Sequence, residues 1–400
     1  MAARRRLARI LTAPLAAALV GGVLAAAPVG AAAVASCTMT VNLKPTSTQT
    51  YANGVRRDVY TVTVSSNSGR QSATVQRMVM PVGAKPRLVN KKLGALGQLR
   101  SQLDSKKGAR GIAAVNGDFF YGYRIDGQTV YLPRNAAVSQ SKVVRANSVR
   151  TRVVGIDIHG NPYDGELGVT GSVTHGSSVF PVTGVNWEYI DAAGVVVYTT
   201  AWADVTVAKR PIAPVEWVIK KGVITAVRTG SAVGKTVAPR TRILAFGKNF
   251  AVSAKRAKVG SAVKVATQQV TGTDVPMREA VGRGISLVRA GAVPATCAPA
   301  LYEVRPRTTV GWTATGQWMT LSLPGTGYDH YGYRIGGLGL AQEANVAKAL
   351  GFVDAVELDG GGSTTAFVRR ADNNWDRVDD ADSQYQRPIP NALVFVPPKR

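Results

Sequence analysis

Cysteine occurs only twice, at Cys37 and Cys297, too rarely for a disulfide scaffold or a Cys-rich zinc module. Histidine is almost as scarce: His159, His175 and His330 stand far apart, which argues against a histidine-built catalytic zinc site. Acidic residues number 24 against 49 Lys and Arg, so the chain carries +25 at pH 7. The 42 glycines and 20 prolines show no Gly-X-Y period, which excludes a collagen-like chain and favours many tight turns in a β-rich fold. What is present is ordinary for a globular protein, 45% hydrophobic and 18% charged over 400 residues, enough for roughly two to three domains of ~150 residues each. The basic residues are scattered, as in Arg150, Arg152, Lys220, Lys221, Lys255, Arg256 and Lys258. Such a surface attracts polyanions in general, but no recognition helix, zinc finger or aromatic RNA-binding motif accompanies it, so no nucleic-acid partner is expected.

Residues 1–35 read as a signal peptide: Arg4, Arg5, Arg6 and Arg9 precede an apolar stretch from Ile10, which ends in small residues around Ala31–Ala35. The alternative is an uncleaved anchor, weakened by Pro14, Gly21, Gly22 and Pro28. Export implies a secreted protein with no membrane span after cleavage. It also favours a Cys37–Cys297 disulfide, because an exported chain meets oxidising conditions. Val34-Ala35-Ser36-Cys37 also resembles a lipobox, which leaves a lipid on Cys37 as the other possibility.

The mature chain reads as α+β (mixed α/β): a β-rich core with a few helices and an inserted β-rich subdomain. Residues 37–105 form a strand-rich N-terminal segment, with runs such as Val59-Tyr60-Thr61-Val62-Thr63-Val64 alternating at period two. Leu93–Lys107 takes helical spacing, stopped by Gly108. Residues 106–400 hold the main domain. From about 150 to 275 it is interrupted by strand after strand: Val153–Ile158, Val195–Tyr198, Val215–Ile219, Val223–Val227, Ile243–Phe246 and Val263–Thr267. Leu338–Leu350 reads as a helix capped by Gly351, followed by a buried-type strand, Asp354–Leu358, and Asp359-Gly360-Gly361-Gly362-Ser363-Thr364. Helix, strand, then an acidic glycine-rich loop is the order in which α/β folds place a site.

Three segments carry chemistry. Asp359 followed by three glycines offers a carboxylate beside backbone N–H groups able to turn toward an anion; a tight structural turn is the plainer reading. No Lys follows the glycines, so this is not a Walker loop. Asn116-Gly117-Asp118-Phe119-Phe120 supplies amide, carboxylate and aromatic groups after the short apolar strand Gly111–Val115, or else is an Asn-Gly turn above two core phenylalanines. Arg305-Pro306-Arg307-Thr308-Thr309-Val310-Gly311 presents an Arg fit to clamp a phosphate, though an exposed Arg is often merely solvated. The acidic tract Asp372, Asp376, Asp379, Asp380 and Asp382 fails the EF-hand spacing and reads as a solvated loop.

Together Ala114–Phe120, Gly282–Gly291, Arg307–Gly311, Leu340–Glu343, Leu358–Thr364 and Arg387–Ala392 resemble, in order, the motifs of the phosphodiester glycosidase family. The resemblance spans about residues 110 to 396, and the Asp359–Ser363 block is its most specific piece. It implies a hydrolase that cleaves a sugar 1-phosphodiester of the N-acetylglucosamine type at the anomeric carbon, releasing free sugar and a phosphomonoester. The implied catalytic carboxylate is Asp359, with Glu343 or Asp118 as its partner. Arg307, the Gly360, Gly361 and Gly362 amides and Arg387 would hold the phosphate, with Asn116, Thr308, Glu357, Ser363, Thr364 and Asn391 completing the substrate site. No cofactor is demanded; a divalent cation between Asp359 and Asp118 is conceivable, but spacing does not indicate it. One motif departs from the family: the strand Met319–Leu323 runs into Pro324-Gly325-Thr326-Gly327 where members carry Asp-Gly-Arg, leaving Asp329, His330 or Arg334 as substitutes. Partners would be sugar phosphodiesters, including anionic cell-wall polymers. The competing readings are a non-catalytic cationic wall-binding protein and a secreted phosphodiesterase.

Overall fold

The computed structural model describes residues 39–66, 69–105, 108–294, 303–328, 334–379 and 386–398. Strands dominate them. The alternation seen at Val59–Val64 becomes the strand Arg56–Ser66, with Val62 and Val64 turned into the core and Thr61 and Thr63 paired with neighbouring strands. Among the described residues, seven strands form one sheet in the order Thr40–Thr50, Arg56–Ser66, Gly69–Val79, Trp318–Leu323, Arg307–Trp312, Asp354–Glu357, Ser286–Val288. The N-terminal segment therefore extends the same sheet that carries the arginine and glutamate motifs. A five-stranded sheet runs Trp375–Arg377, Ala366–Arg369, Ala113–Asn116, Asn391–Val396, Lys85–Asn90.

Alternation along each strand sets the layers. Val310 and Val356 face the same apolar cluster as Val115, Leu393 and Phe395, so the two sheets pack face to face. The next residues along, Leu321 and Ala355, pack on the opposite face against Val346, Ala347 and Leu350 of the helix Leu340–Ala349. Ala114 and Val394 likewise turn away toward Leu99 and Leu103 of the short helix Leu99–Leu103. The strands expected between about 150 and 275 belong to an eleven-stranded sheet that reaches from Ala137–Ser139 to Met277–Gly282. Val196 and Tyr198 of that sheet join the shared core, whereas Val195 and Val197 join a second core around Trp217 and Phe246.

The β-rich core is as expected, but helix is a minor component. Among the described residues the Leu340–Ala349 helix is the one α-helix longer than five residues, and Gly351 ends it at φ 91° as the sequence suggested. Helical structure over Leu93–Lys107 is confined to Leu99–Leu103. Leu93 instead bridges to Trp202, and Gly94 sits at φ 88° with its Cα against Ala208, so tertiary contacts override the local spacing. In the acidic tract Arg370 pairs with Asp372 and Asp376, and Arg377 pairs with the buried Asp379. Residues 1–35, both cysteines of the expected disulfide, and Asp329, His330, Asp380 and Asp382 lie outside the described residues. No helix among the described residues is long and apolar enough to cross a membrane.

Candidate active site

Two strand ends meet at the site, one from each packed sheet. Ala113–Asn116 leads into Asp118, and Asp354–Glu357 leads into Asp359. Asn116 bolts them together: its Nδ2 donates to the Asp359 carbonyl at 2.6 Å, while its Oδ1 accepts from Thr308 Oγ1 at 2.8 Å and Thr365 N at 3.1 Å. The Asp359 N–H returns a bond to the Gly117 carbonyl at 3.0 Å. Asn116 and Thr308 are both fully buried, so they hold the frame of the site rather than its open surface. Asn391 does the same from the neighbouring strand, accepting the Asp118 N–H on Oδ1 at 2.8 Å.

The three candidate carboxylates differ sharply. Asp118 is 1% exposed, and Asn135 caps both of its oxygens, through its backbone N–H at 2.7 Å and its Nδ2 at 2.8 Å. Burial nevertheless pushes its pKa up to about 7, against those donors and with help from the negative charge of Asp359. Glu343 is 0% exposed, with Oε1 accepting from Thr309 Oγ1 and Oε2 without a partner among the described residues; burial raises it to about 7. Asp359 alone of the three is only half-buried. Desolvation lifts it to about 6, opposed by the Ser363 hydroxyl, the Arg387 charge and the Gly360 N–H that donates to Oδ1 at 3.0 Å. Ser363 Oγ itself is buried and makes no well-formed hydrogen bond with a described residue.

The arginines divide in the same way. Arg307 is 6% exposed, and each nitrogen of its guanidinium makes a hydrogen bond, with Nε on the Leu338 carbonyl at 3.2 Å, Nη1 on Glu357 Oε1 at 2.9 Å and Nη2 on the Glu303 carbonyl at 2.7 Å. The sequence offered it as a phosphate clamp; the fold gives it to Glu357, because the two residues project from adjacent strands on the same face as Thr309 and Glu343. Glu357 is thereby a buried partner of Arg307 rather than an open substrate ligand, and burial raises its pKa. Arg387 is exposed, forms no ion pair with a described residue, lies 4.9 Å over the Phe120 ring, and passes its methylenes beside Gly362.

The glycine loop is less open than a phosphate cradle requires. Gly360 N–H is taken by Asp359 and Gly361 N–H by the Pro306 carbonyl at 2.8 Å, which leaves the Gly362 N–H without a partner among the described residues. Ser363 and Thr364 are buried beneath the short 3₁₀ turn Gly361–Ser363. Three residues outside the expected site set complete the frame. Asn135 holds Asp118, as above. Gly282 and Gly284 let the acids approach: a Cβ on Gly282 would fall 2.2 Å from Asp118 Oδ2, and one on Gly284 would fall 2.4 Å from Glu357 Oε2. The glycine pair was visible within Gly282–Gly291; nothing in the sequence marks Asn135, which reaches the site across a hairpin. Among the described residues no group of three His, Cys, Asp or Glu side chains is placed to hold a metal ion.

Residues 213–396 match the phosphodiester glycosidase family. That stretch is a phosphodiester glycosidase domain. The match contains Arg307, Glu343, Glu357, Asp359 and Arg387, and begins after Asn116 and Asp118, which the fold brings to the same place. The fold is shared with a hypothetical protein from Synechocystis, 18% identical with a TM-score of 0.63 over 89% of this chain and 68% of that one. A putative exported protein from Burkholderia pseudomallei is also similar, 16% identical with a TM-score of 0.66 over 91% of this chain and 97% of that one. The zebrafish N-acetylglucosamine-1-phosphodiester α-N-acetylglucosaminidase catalytic domain, auto-inhibited by its pro-peptide, is 12% identical with a TM-score of 0.45, over 90% of this chain and 88% of that one. No curated protein matches the sequence.

Proposed function

We propose that the protein is an exported hydrolase that cleaves a sugar 1-phosphodiester at the anomeric carbon, giving free sugar and a phosphomonoester. The observation that carries this reading is the pairing of a half-buried carboxylate, Asp359, with an exposed guanidinium, Arg387, that forms no ion pair among the described residues, inside a phosphodiester glycosidase domain. A phosphomonoester is a weakly basic leaving group, so the chemistry asks less of a general acid than of a carboxylate and a cation. With its pKa near 6, Asp359 is ionised at neutral pH and able to activate water or attack C1. Arg387 takes the departing phosphate, with the free Gly362 N–H beside it. Asp118 acts from behind as a buried acid that shares charge with Asp359. Phe120, under Arg387 and edge-on to the half-exposed Tyr131 at 6.2 Å, supplies an apolar face on which a sugar ring can lie.

The test is incubation with N-acetylglucosamine 1-phosphodiesters and with teichoic-type polymers, assaying free sugar from the wild type and from Asp359→Asn. Release by the wild type alone supports the reading. Binding to the polymer without release by either protein replaces it with the wall-binding reading that the excess of Lys and Arg favours.

A further inference from the structure

The Asn391–Val396 strand runs from the candidate active site to a separate cavity. Asn391 supports Asp118 at one end, while Val396, ~17 Å away at ~3.4 Å per residue, lies at the lip of a separate cavity of about 370 Å³. Its floor is largely apolar, Ile156 and Val396 included, and its walls carry Lys85, Arg87, Arg110 and Arg278. None of these four side chains makes an ion pair or a hydrogen bond with a described residue. The buried arginines of the fold, Arg145, Arg210, Arg283 and Arg307, are by contrast each set against a carboxylate. The one acid in the wall, Glu279, turns its oxygens to the backbone N–H groups of Leu88 and Gln140, both at 3.1 Å. A neighbouring cavity of about 400 Å³ shares Arg87 and Arg278 and continues the basic surface.

Four cations that pair with no described residue, against the single carboxylate of Glu279, focus a positive potential in this concavity, and guanidinium forks match phosphate oxygens. We infer that this cavity is a second anion site, distinct from the Asp359 site, which holds a phosphodiester unit of a polyanionic chain. A chain long enough to fill both ends is retained between cleavage events, which raises its effective concentration at Asp359.

The experiment measures binding of poly(glycerol phosphate) at about 0.15 M salt by Asp359→Asn protein, so that the result does not depend on the catalytic reading. Removing Arg87, Arg110 and Arg278 together as Gln should weaken binding at least about tenfold and flatten its salt dependence. A matched control removes the exposed Lys220, Lys221 and Lys255 as Gln, the same three charges elsewhere, and should change binding less than about twofold. In the Asp359 background of the wild type, free-sugar release from a small sugar phosphodiester should be unaffected by the cavity substitutions. Equal weakening by both triple variants would assign binding to net charge and overturn the proposal, as would undiminished binding in the cavity variant. Should the triple variant fail to fold, Arg278→Gln alone, an exposed side chain, should still weaken polymer binding about threefold, and no change there overturns it as well.

Discussion

Glu357 and Asp359 stand two residues apart at the end of one strand, and their surroundings are opposite. Glu357 faces inward, 6% exposed, bound through Oε1 to Arg307 and lying against Gly284. Asp359 opens on the loop, half-buried, with one oxygen on the Gly360 N–H and the charge of the exposed Arg387 nearby. The inner acid comes with its cation supplied from the adjacent strand; the outer acid faces a cation that no other described residue pairs. A buried, satisfied pair fixes a structure, whereas a half-buried acid beside a free guanidinium is left able to do chemistry. If that contrast is right, substitutions in the outer pair should damage turnover and spare stability, and substitutions in the inner pair should do the reverse.

The largest effect expected is at Asp359. Asp359→Asn keeps the shape of the side chain and removes the charge, and should lower kcat by about 10²- to 10⁴-fold with little change in Tm. A variant that folds and keeps more than about a tenth of wild-type kcat would remove Asp359 from its role. Next comes the inner pair: Arg307→Ala strands Glu357, and Glu343 behind it, in a buried layer without their cation. Such a loss costs about 3–5 kcal/mol, readable as a lower midpoint in denaturant unfolding. If Arg307→Ala instead unfolds like the wild type and loses phosphodiester cleavage selectively, the inner and outer roles are exchanged.

The sequence marked both pairs and could not tell them apart. The Asp359–Ser363 loop, the strand before it and the helix ahead of that were legible, because glycine runs, period two and 3.6-residue spacing are local properties. Which arginine is free is not local. Arg307 lies in a recognisable motif, yet its fate depends on the register that sets Thr309 opposite Glu357. Arg387 gains its place only because the last strand brings its neighbourhood beside Phe120 and Gly362. Asn135 was invisible for the same reason, since its contact with Asp118 is made by a turn of the chain that no spacing rule encodes.

Arg387→Ala should lower kcat/KM for a sugar phosphodiester by about tenfold to a hundredfold, near 1.4 kcal/mol per factor of ten, with Tm unchanged. Arg387→Lys keeps the charge without the planar fork and should fall between. On an aryl glycoside that lacks phosphate the same substitution should have little effect. An equal loss on both substrates would mean that Arg387 serves packing over Phe120 rather than the leaving group.

The smallest effect on turnover, and the finest probe of the contrast, is Glu343→Gln. Glu343 is enclosed, and its pKa is raised from 4.5 to about 7 mainly by burial. A carboxyl that binds its proton more tightly when folded adds stability below the unfolded-state value and loses it as pH rises through the folded one. Between about pH 4.5 and pH 7 the wild type should therefore lose stability from this group. The gap amounts to on the order of 3 kcal/mol at 1.36 kcal/mol per pKa unit. Glutamine can still accept the Thr309 hydroxyl bond and cannot ionise, so the variant should show a flatter stability profile across that window and equal or greater stability at pH 8. Its kcat at pH 7 should stay within about threefold of wild type, since nothing at 0% exposure meets the substrate. Unfolding midpoints taken from pH 4.5 to pH 8 on both proteins measure the slope. Parallel profiles would show that Glu343 is already ionised across the window, and a large fall in kcat would move it from the inner layer into the chemistry of Asp359.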